Sequence, residues 1–341
     1  MDGAAPRRPT DPPFSLIVAE ALHHEFERDP AVVLFGEDVA RIVGTFGASR
    51  GLLRRFGPRR VRDTPISEMA FVGMGVGAAQ AGLRPVVEVM FADFLGVCLD
   101  QVYNAMAKNH FMSGGRVTVP MTLVVAAGSI GDAAQHSQCL WGTLAHLPGM
   151  KIVVPSNPYD AKGLLAEAIA DDDPVVYFAH KQMLLARCSQ FNLGTTVPEE
   201  RYTVPIGQAA VVRRGTDLTL ATLGWTVGLA LGAAEEAASE GVEVEVVDLR
   251  SIVPLDAATV AASAQRTGRL LVVDEDYRSF GLSAELAMRV YEAADGAPPR
   301  IARLAVPDVP LPAARVLEDA VLPTQERILA TIRDFIRSAR P

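Results

Sequence analysis

The sequence predicts an α/β protein of two domains, the first built on a parallel sheet covered by helices on both faces. Three observations carry that reading. Short apolar strands alternate with helical stretches along most of the chain, the pattern of helices layered on a parallel sheet. One of those strands, Val119 to Ala126, is almost continuously apolar, as expected when both faces of a strand are covered. The alternation then stops near Cys188 and restarts after Pro205, and a chain of 341 residues has the length of about two domains.

Taken in order, residues 1–14 form a proline-rich lead-in without the apolar core of a signal peptide, and the reading takes them as disordered. Ser15 to Arg28 has the amphipathic period of a helix, closed by Asp29-Pro30. Ala31 to Phe35 is an apolar strand ending in Gly36-Glu37-Asp38, and Pro85 to Phe91 is a second. Asp93 to about Met112 reads as a helix stopped by Ser113-Gly114-Gly115. After the strand 119–126 come a polar loop at 128–137, a strand at 151–154, a helix at 158–170 and a strand at 175–178. Residues 15–187 are thus the first domain and 188–205 a linker with Gly194, Pro198 and Pro205. The second domain, 206–341, alternates strands at 218–222, 242–249, 269–273 and 300–306 with helices at 226–239, 256–265, 283–293 and 324–336.

The net charge of −8, with no basic cluster, argues against nucleic acid as a partner. No apolar run reaches the roughly 20 residues that span a bilayer. Three widely spaced cysteines, Cys98, Cys139 and Cys188, fit a reducing cytoplasm better than a disulfide scaffold or a zinc site.

Two stretches stand out chemically. In Asp63-Thr64-Pro65-Ile66-Ser67-Glu68-Met69, the residue before proline is held extended, Ser67 can cap a helix, and Glu68 falls in its first turn. The helix that follows holds Gly73, Gly75 and Gly77, each costing about 1 kcal/mol against alanine, which points to close approach by a neighbour. Gly73 to Ala78 also matches a dinucleotide-binding pattern, but that pattern belongs at a turn directly after an apolar strand, and here it lies within a helix. In Ala133-Ala134-Gln135-His136-Ser137-Gln138, an imidazole sits in a polar loop past the end of a buried strand, where α/β sheets bind ligands. Read alone, Glu68 is equally a solvent-facing first-turn charge, and His136 a loop imidazole held by its own hydrogen bonds. Asp171-Asp172-Asp173 closes a helix at its negative end, an arrangement that needs solvent or a cation to offset it.

Together these runs resemble the β subunit of the thiamine-diphosphate-dependent E1 component of 2-oxo acid dehydrogenase complexes. The resemblance rests on Asp-Thr-Pro-Ile-Ser-Glu-Met at 63–69, Gly-Leu-Arg-Pro at 82–85, Asp-Gln-Val-Tyr-Asn at 100–104, Met-Ser-Gly-Gly at 112–115 and Ala-Ala-Gln-His-Ser-Gln at 133–138. It continues through Asp-Ala-Lys-Gly-Leu-Leu at 160–165, Val-Asp-Leu-Arg at 247–250 and Leu-Glu-Asp-Ala-Val-Leu-Pro at 317–323. Phe91-Ala92-Asp93-Phe94, Pro-Ser-Asn-Pro-Tyr-Asp at 155–160 and Val-Asp-Glu at 273–275 look most like the acetoin dehydrogenase branch.

The resemblance implies a pyrimidine-binding domain followed by a transketolase C-terminal-type domain, in an α2β2 heterotetramer that serves a lipoyl-bearing E2 core or another carrier protein. It implies that Glu68 bonds N1′ of the cofactor's aminopyrimidine, which favours the 4′-imino form that removes the C2 proton. Phe94 would pack on the pyrimidine with Ile66 in the same wall, and His136 would assist proton transfer and the lipoyl reaction. A structural potassium ion would lie on carbonyls of Met121, Ala168, Ile169 and Asp171, beside Asp173. The Gly-Asp-Gly motif that holds the diphosphate through Mg²⁺ is missing from the chain, so an α subunit must supply that half and the isolated chain should bind the cofactor weakly. Three stretches depart from the family pattern: Ala179, Tyr277 to Phe280, and Gly128 to Asp132. They surround the expected substrate region and leave open a specialised carboligase that delivers to a carrier protein. A non-catalytic assembly subunit is the remaining alternative.

Overall fold

The chain folds as two units, residues 1–130 with 146–206, and residues 131–145 with 207–341. The computed structural model describes residues 8–44, 46–191 and 196–338.

Helix α1 (Phe14–Arg28) buries Ile17, Val18, Ala21, Leu22 and Phe26 and leads into β1 (Val32–Gly36). Next come α2 (Leu52–Phe56), β2 (Val61–Asp63), α3 (Glu68–Gln80) and β3 (Arg84–Val89). The predicted helix 93–112 is built from α4 (Leu95–Asp100), a π-helical turn (Gln101–Met106) and α5 (Ala107–Met112). Strand β4 (Thr122–Ala127) follows, every residue buried. The chain then enters the second unit for residues 131–145, which contain α6 (Trp141–Ala145), and returns for β5 (Lys151–Val153), α7 (Pro158–Ala170), β6 (Val175–His180) and α8 (Lys181–Leu185). Six strands lie in the order β5-β6-β4-β3-β1-β2. Every neighbouring pair among them is parallel, with Gly36 beside Glu88 and Ala126 beside Ala179.

In the second unit, β7 (Ala210–Arg213), β8 (Leu218–Thr222), α9 (Thr226–Ser239), β9 (Val244–Asp248), the short β10 (Ser251–Val253), α10 (Ala257–Thr267) and β11 (Arg269–Tyr277) come first. Then follow α11 (Leu282–Glu292), β12 (Arg300–Val306), α12 (Arg315–Val321) and α13 (Gln325–Arg337). The sheet order is β12-β11-β8-β9-β7, parallel except for the β7 edge. Its core joins alanines of α9 (Ala230, Ala233, Ala234 and Ala237) to Leu218, Leu220, Val244 and Val246 and to Ile328 and Ile332 of α13. Small residues on α9 let that helix sit close to both layers.

Three boundaries differ from the sequence reading. Of the lead-in expected to be disordered, residues 1–7 lie outside the described residues, but 8–14 are tied down. Arg8 pairs with Glu20 at 2.7 Å, and Pro12 and Phe14 exchange backbone hydrogen bonds with Cys188 and Ala186. The linker is not free either. Gly194 lies outside the described residues, but Tyr202 stacks on Tyr159 at 4.6 Å and Val204 N–H donates to the Gly163 carbonyl. Those contacts keep residues up to 206 with the first unit. Finally, residues 131–145, read as part of the first domain, belong to the second.

Candidate active site

The site in the first unit grows from Thr64-Pro65. Thr64 N–H donates to the Gly36 carbonyl at 2.9 Å, so the segment leaves the end of β2 extended and beside β1. Ser67 stands at the N-cap of α3 as predicted, but its side chain makes no capping bond. Its carbonyl instead accepts from Ala70 and Phe71 N–H. The first-turn acid, Glu68, is buried, with 8% of its surface exposed. A charge that ordinarily faces water is therefore held inside. The glycines behind it explain how α3 sits so close to the sheet. A side chain on Gly75 would start 2.6 Å from Val87 Cγ2 of β3, and one on Gly73 would start 2.8 Å from Gln101 Oε1. The neighbours that approach are side chains, and Gly77 has open space.

Two groups lie within electrostatic reach of Glu68, the carboxyl of Glu37 after β1 and the thiol of Cys98 on α4, and a third acid, Glu88, is buried on β3. Glu37 follows β1, buried, with Oε1 lacking a hydrogen-bond partner. Burial raises its carboxyl above the ordinary range, and the charges of Glu68 and Asp38 push the same way. Glu88, on β3, is raised to about 7 by burial. Cys98 of α4 is pushed up to about 12, first by burial and then by the charge of Glu68, which keeps it an unreactive thiol. Neither Glu37 nor Glu88 was singled out from sequence. The available signal was a carboxylate inside an otherwise apolar strand, since charge is rarely buried without a purpose.

An aromatic group borders the same region. Phe94 lies half-buried, edge-on to Phe91 at 5.3 Å, and Phe91 meets Phe46 at 6.1 Å. The ammonium of Lys181, fully buried at the start of α8, sits 4.7 Å from the Phe91 ring centre, a cation–π contact strengthened by desolvation. Ile66 is 86% exposed and forms no wall within this chain. A buried carboxylate on α3, an aromatic pair at 91 and 94 and an orphaned acid oxygen on Glu37 are groups whose chemistry fits the pyrimidine half of a cofactor.

The potassium set fares differently. Arg84 Nη1 donates to the carbonyls of Ile169 (3.2 Å) and Asp171 (2.9 Å), and Met121 O accepts from Val175 N–H. Lys151 Nζ bonds the Asp171 carboxylate at 2.7 Å and reaches Asp173 at 3.0 Å. Arg84 also pairs with Asp172. The offsetting charge that this acidic turn requires is therefore supplied by two side chains of the protein, Arg84 and Lys151, and Arg84 occupies the Ile169 and Asp171 carbonyls that a potassium ion would use.

The second unit holds the histidine. The loop begins after Gly128, whose φ of +88° and closeness to His180 (a Cβ would lie 2.0 Å from Nε2) admit glycine alone. His136 is half-buried, its N–H on the Ala133 carbonyl at 3.2 Å. Ala133 and Leu140 both have positive φ, +67° and +55°, strained for residues with a Cβ. The loop is held by carboxylates of its own unit. Gly131 N–H donates to Glu318 at 3.0 Å, Trp141 Nε1 to Asp274 at 3.0 Å and Gly142 N–H to Asp276 at 2.9 Å, while Tyr277 O–H reaches Gln138 Oε1 at 3.2 Å.

Comparison with known proteins also gives two domains, although the first match runs through residues 131–145, which pack with the second unit. Residues 11–186 match the transketolase pyrimidine binding domain, and residues 207–328 the transketolase C-terminal domain. The chain is 40% identical over 339 residues to the β subunit of acetoin:2,6-dichlorophenolindophenol oxidoreductase from Cupriavidus necator, covering 96% of this chain and 98% of that one. It is 40% identical over 333 residues to the subunit of the same description from Bacillus subtilis, covering 94% and 95%. To the β subunit of the mitochondrial pyruvate dehydrogenase E1 component from Homo sapiens it is 40% identical over 319 residues, covering 93% and 88%. A split-gene transketolase, solved as an inactive β4 tetramer, shares the fold with a TM-score of 0.77 at 21% identity over 96% of this chain and 99% of that one.

Proposed function

Because the chain belongs to the family of E1 β subunits built from transketolase-type pyrimidine-binding and C-terminal domains, we propose that it is the β subunit of a thiamine-diphosphate-dependent E1 enzyme. With an α subunit, in an α2β2 assembly, it decarboxylates a 2-oxo acid or cleaves acetoin, and the acyl fragment passes to a lipoyl domain. The observation that carries the reading is Glu68, a carboxylate buried at the first turn of α3 with no capping duty.

Thiamine diphosphate, when bound, supplies the carbanion chemistry. Glu68 would hold a proton at N1′ of its pyrimidine. Burial makes that exchange effective, since a carboxylate in a low-dielectric site gains from sharing a proton with a ring nitrogen. Phe94 would give the pyrimidine an apolar face. Mg²⁺ and the diphosphate would be held mainly by the α subunit. His136 would act as acid or base where the acyl fragment leaves. Among the described residues no helix is long and apolar enough to cross a membrane.

The test is dye-coupled turnover of the chain co-expressed with its α subunit, with thiamine diphosphate and Mg²⁺, against pyruvate, branched-chain 2-oxo acids and acetoin in parallel. A clear preference for one of them is the expected result. No turnover of any substrate by a cofactor-bound tetramer would overturn the reading in favour of a carboligase that delivers to a carrier protein.

A further inference from the structure

The loop that carries His136 is bound to its unit at its two ends, and the stronger hold is at the far end. Strand β11 leaves register with β12 there: Val273 lies opposite Leu304, but Tyr277 lies opposite Val306. Three residues of β11 there face one of β12, a bulge-like irregularity of the kind that re-aims side chains near functional sites. The three are Asp274, Glu275 and Asp276, all buried. Asp274 Oδ1 accepts from Trp141 Nε1 and from Asp276 N–H, both at 3.0 Å, while Oδ2 is buried without a partner. Asp276 Oδ2 accepts from Gly142 N–H at 2.9 Å and Oδ1 from Tyr277 N–H at 2.8 Å. Leu140 N–H lies close enough to the Asp276 carboxylate to favour its charged form. Leu140 is the loop residue at φ +55°, a conformation that is strained for a side-chain-bearing residue and persists only where its surroundings impose it.

We propose that Asp276 is a positioning residue for His136. Its carboxylate accepts Gly142 N–H just after Trp141, favours the left-handed turn at Leu140 just before it, and so sets where the segment 136–140 runs. It touches no reacting atom and acts through the loop. Burial raises the carboxyls of Asp274 and Asp276 above the ordinary range, with the charge of Asp276 adding to the first and that of Glu275 to the second. Such groups are retained where fixing a geometry matters more than stability. Glu318 holds the near end through Gly131, and Tyr277 holds the middle through Gln138. The stretch Tyr277 to Phe280, where the sequence departs from its relatives' pattern, therefore begins directly beside this clamp.

The inference rests on the proposed role of His136, and the test separates the two. Four variants of the chain, Asp276→Ala, His136→Ala, the two combined, and Asp276→Ala with Leu140→Gly, are assayed as α2β2 tetramers for kcat and KM, with thermal melts as a check on folding. Asp276→Ala should lower kcat about 10- to 100-fold, the scale of a misplaced catalytic group, with KM within about 2-fold. In the His136→Ala background it should change kcat by less than about 2-fold, because residues that act as one unit are not additive. Leu140→Gly should restore several-fold of the loss in the Asp276→Ala variant, since glycine adopts this φ without help. Wild-type kcat in Asp276→Ala, or losses that multiply in the double variant, would overturn the inference while leaving the function intact. An inactive wild-type tetramer, or His136→Ala with full activity, would overturn the functional reading and this inference with it. If Asp276→Ala does not fold, Asp276→Asn, which keeps one acceptor oxygen, takes its place in the same comparison.

Discussion

Of the helix starts that carry an acid, those of α3 and α10 put it to opposite uses. At α10, Asp256 is the N-cap: its carboxylate accepts from Thr259 N–H at 3.1 Å, from Thr259 Oγ1–H at 2.7 Å and from Ala209 N–H at 3.0 Å. Burial pushes its carboxyl up, and those bonds outweigh burial and hold it below the ordinary range. At α3, Ser67 occupies the cap without bonding through its side chain, and Glu68 is buried close enough to Glu37 to push that carboxyl up. One acid satisfies its own helix. The other leaves its helix start without a side-chain cap and is available to a ligand. The difference teaches that a buried acid is informative when the local backbone does not use it.

That contrast can be broken most directly at Glu68. In the α2β2 assembly, Glu68→Ala should lower turnover at least about 10²-fold, the usual scale for a lost proton-transfer group, with the tetramer and its melting temperature retained. Unchanged turnover would make Glu68 an ordinary buried charge and remove the distinction between the two helix starts.

A smaller effect concerns a buried acid of β3. Glu88 ionises near 4.5 in an unfolded chain and at about 7 here. Between those values the folded chain holds a proton that the unfolded chain has lost. Stability from this group is therefore fully present below the lower value and is lost as pH rises to the upper one, by up to about 3 kcal/mol. Urea unfolding at pH 5 and pH 7.5 should show that slope in the wild-type chain and a flatter one in Glu88→Gln. Identical slopes would mean that Glu88 is solvated and not under burial stress.

The smallest expected effect is at the other helix. Asp256→Ala should cost about 1 kcal/mol in chemical denaturation and leave kcat unchanged, because its bonds all serve the backbone and Thr259. A loss of turnover from Asp256→Ala beyond the lost stability would show that the two starts are not so different in kind.

Where signals were local, the sequence reading was close. The reading of α7 and α9 has the same limits as the structure, 158–170 and 226–239. Asn157-Pro158 marks the start of α7, with Asn157 accepting from Asp160 N–H. Strands β8 and β12 were equally legible as short apolar runs between turns. Elements that local pattern could not show are short or bound up with tertiary contacts: β7, β10, α6 and α12. The extension of β11 to Tyr277 escaped as well, because its last residues are acids, which read as the end of a strand until a bulge buries them.

By itself the sequence determined the two α/β units, the helix carrying Glu68 and the polar loop carrying His136, because alternation, proline and glycine act over a few residues. Only the tertiary structure decided which acids are stressed, where the cation at the Asp171 turn comes from, and that residues 131–145 belong with the second unit. Those outcomes depend on which distant groups share a low-dielectric space. Arg84 lies far in sequence from Asp171, and Asp276 lies farther still from Gly142. No local pattern encodes such a distance, and burial is what converts it into energy.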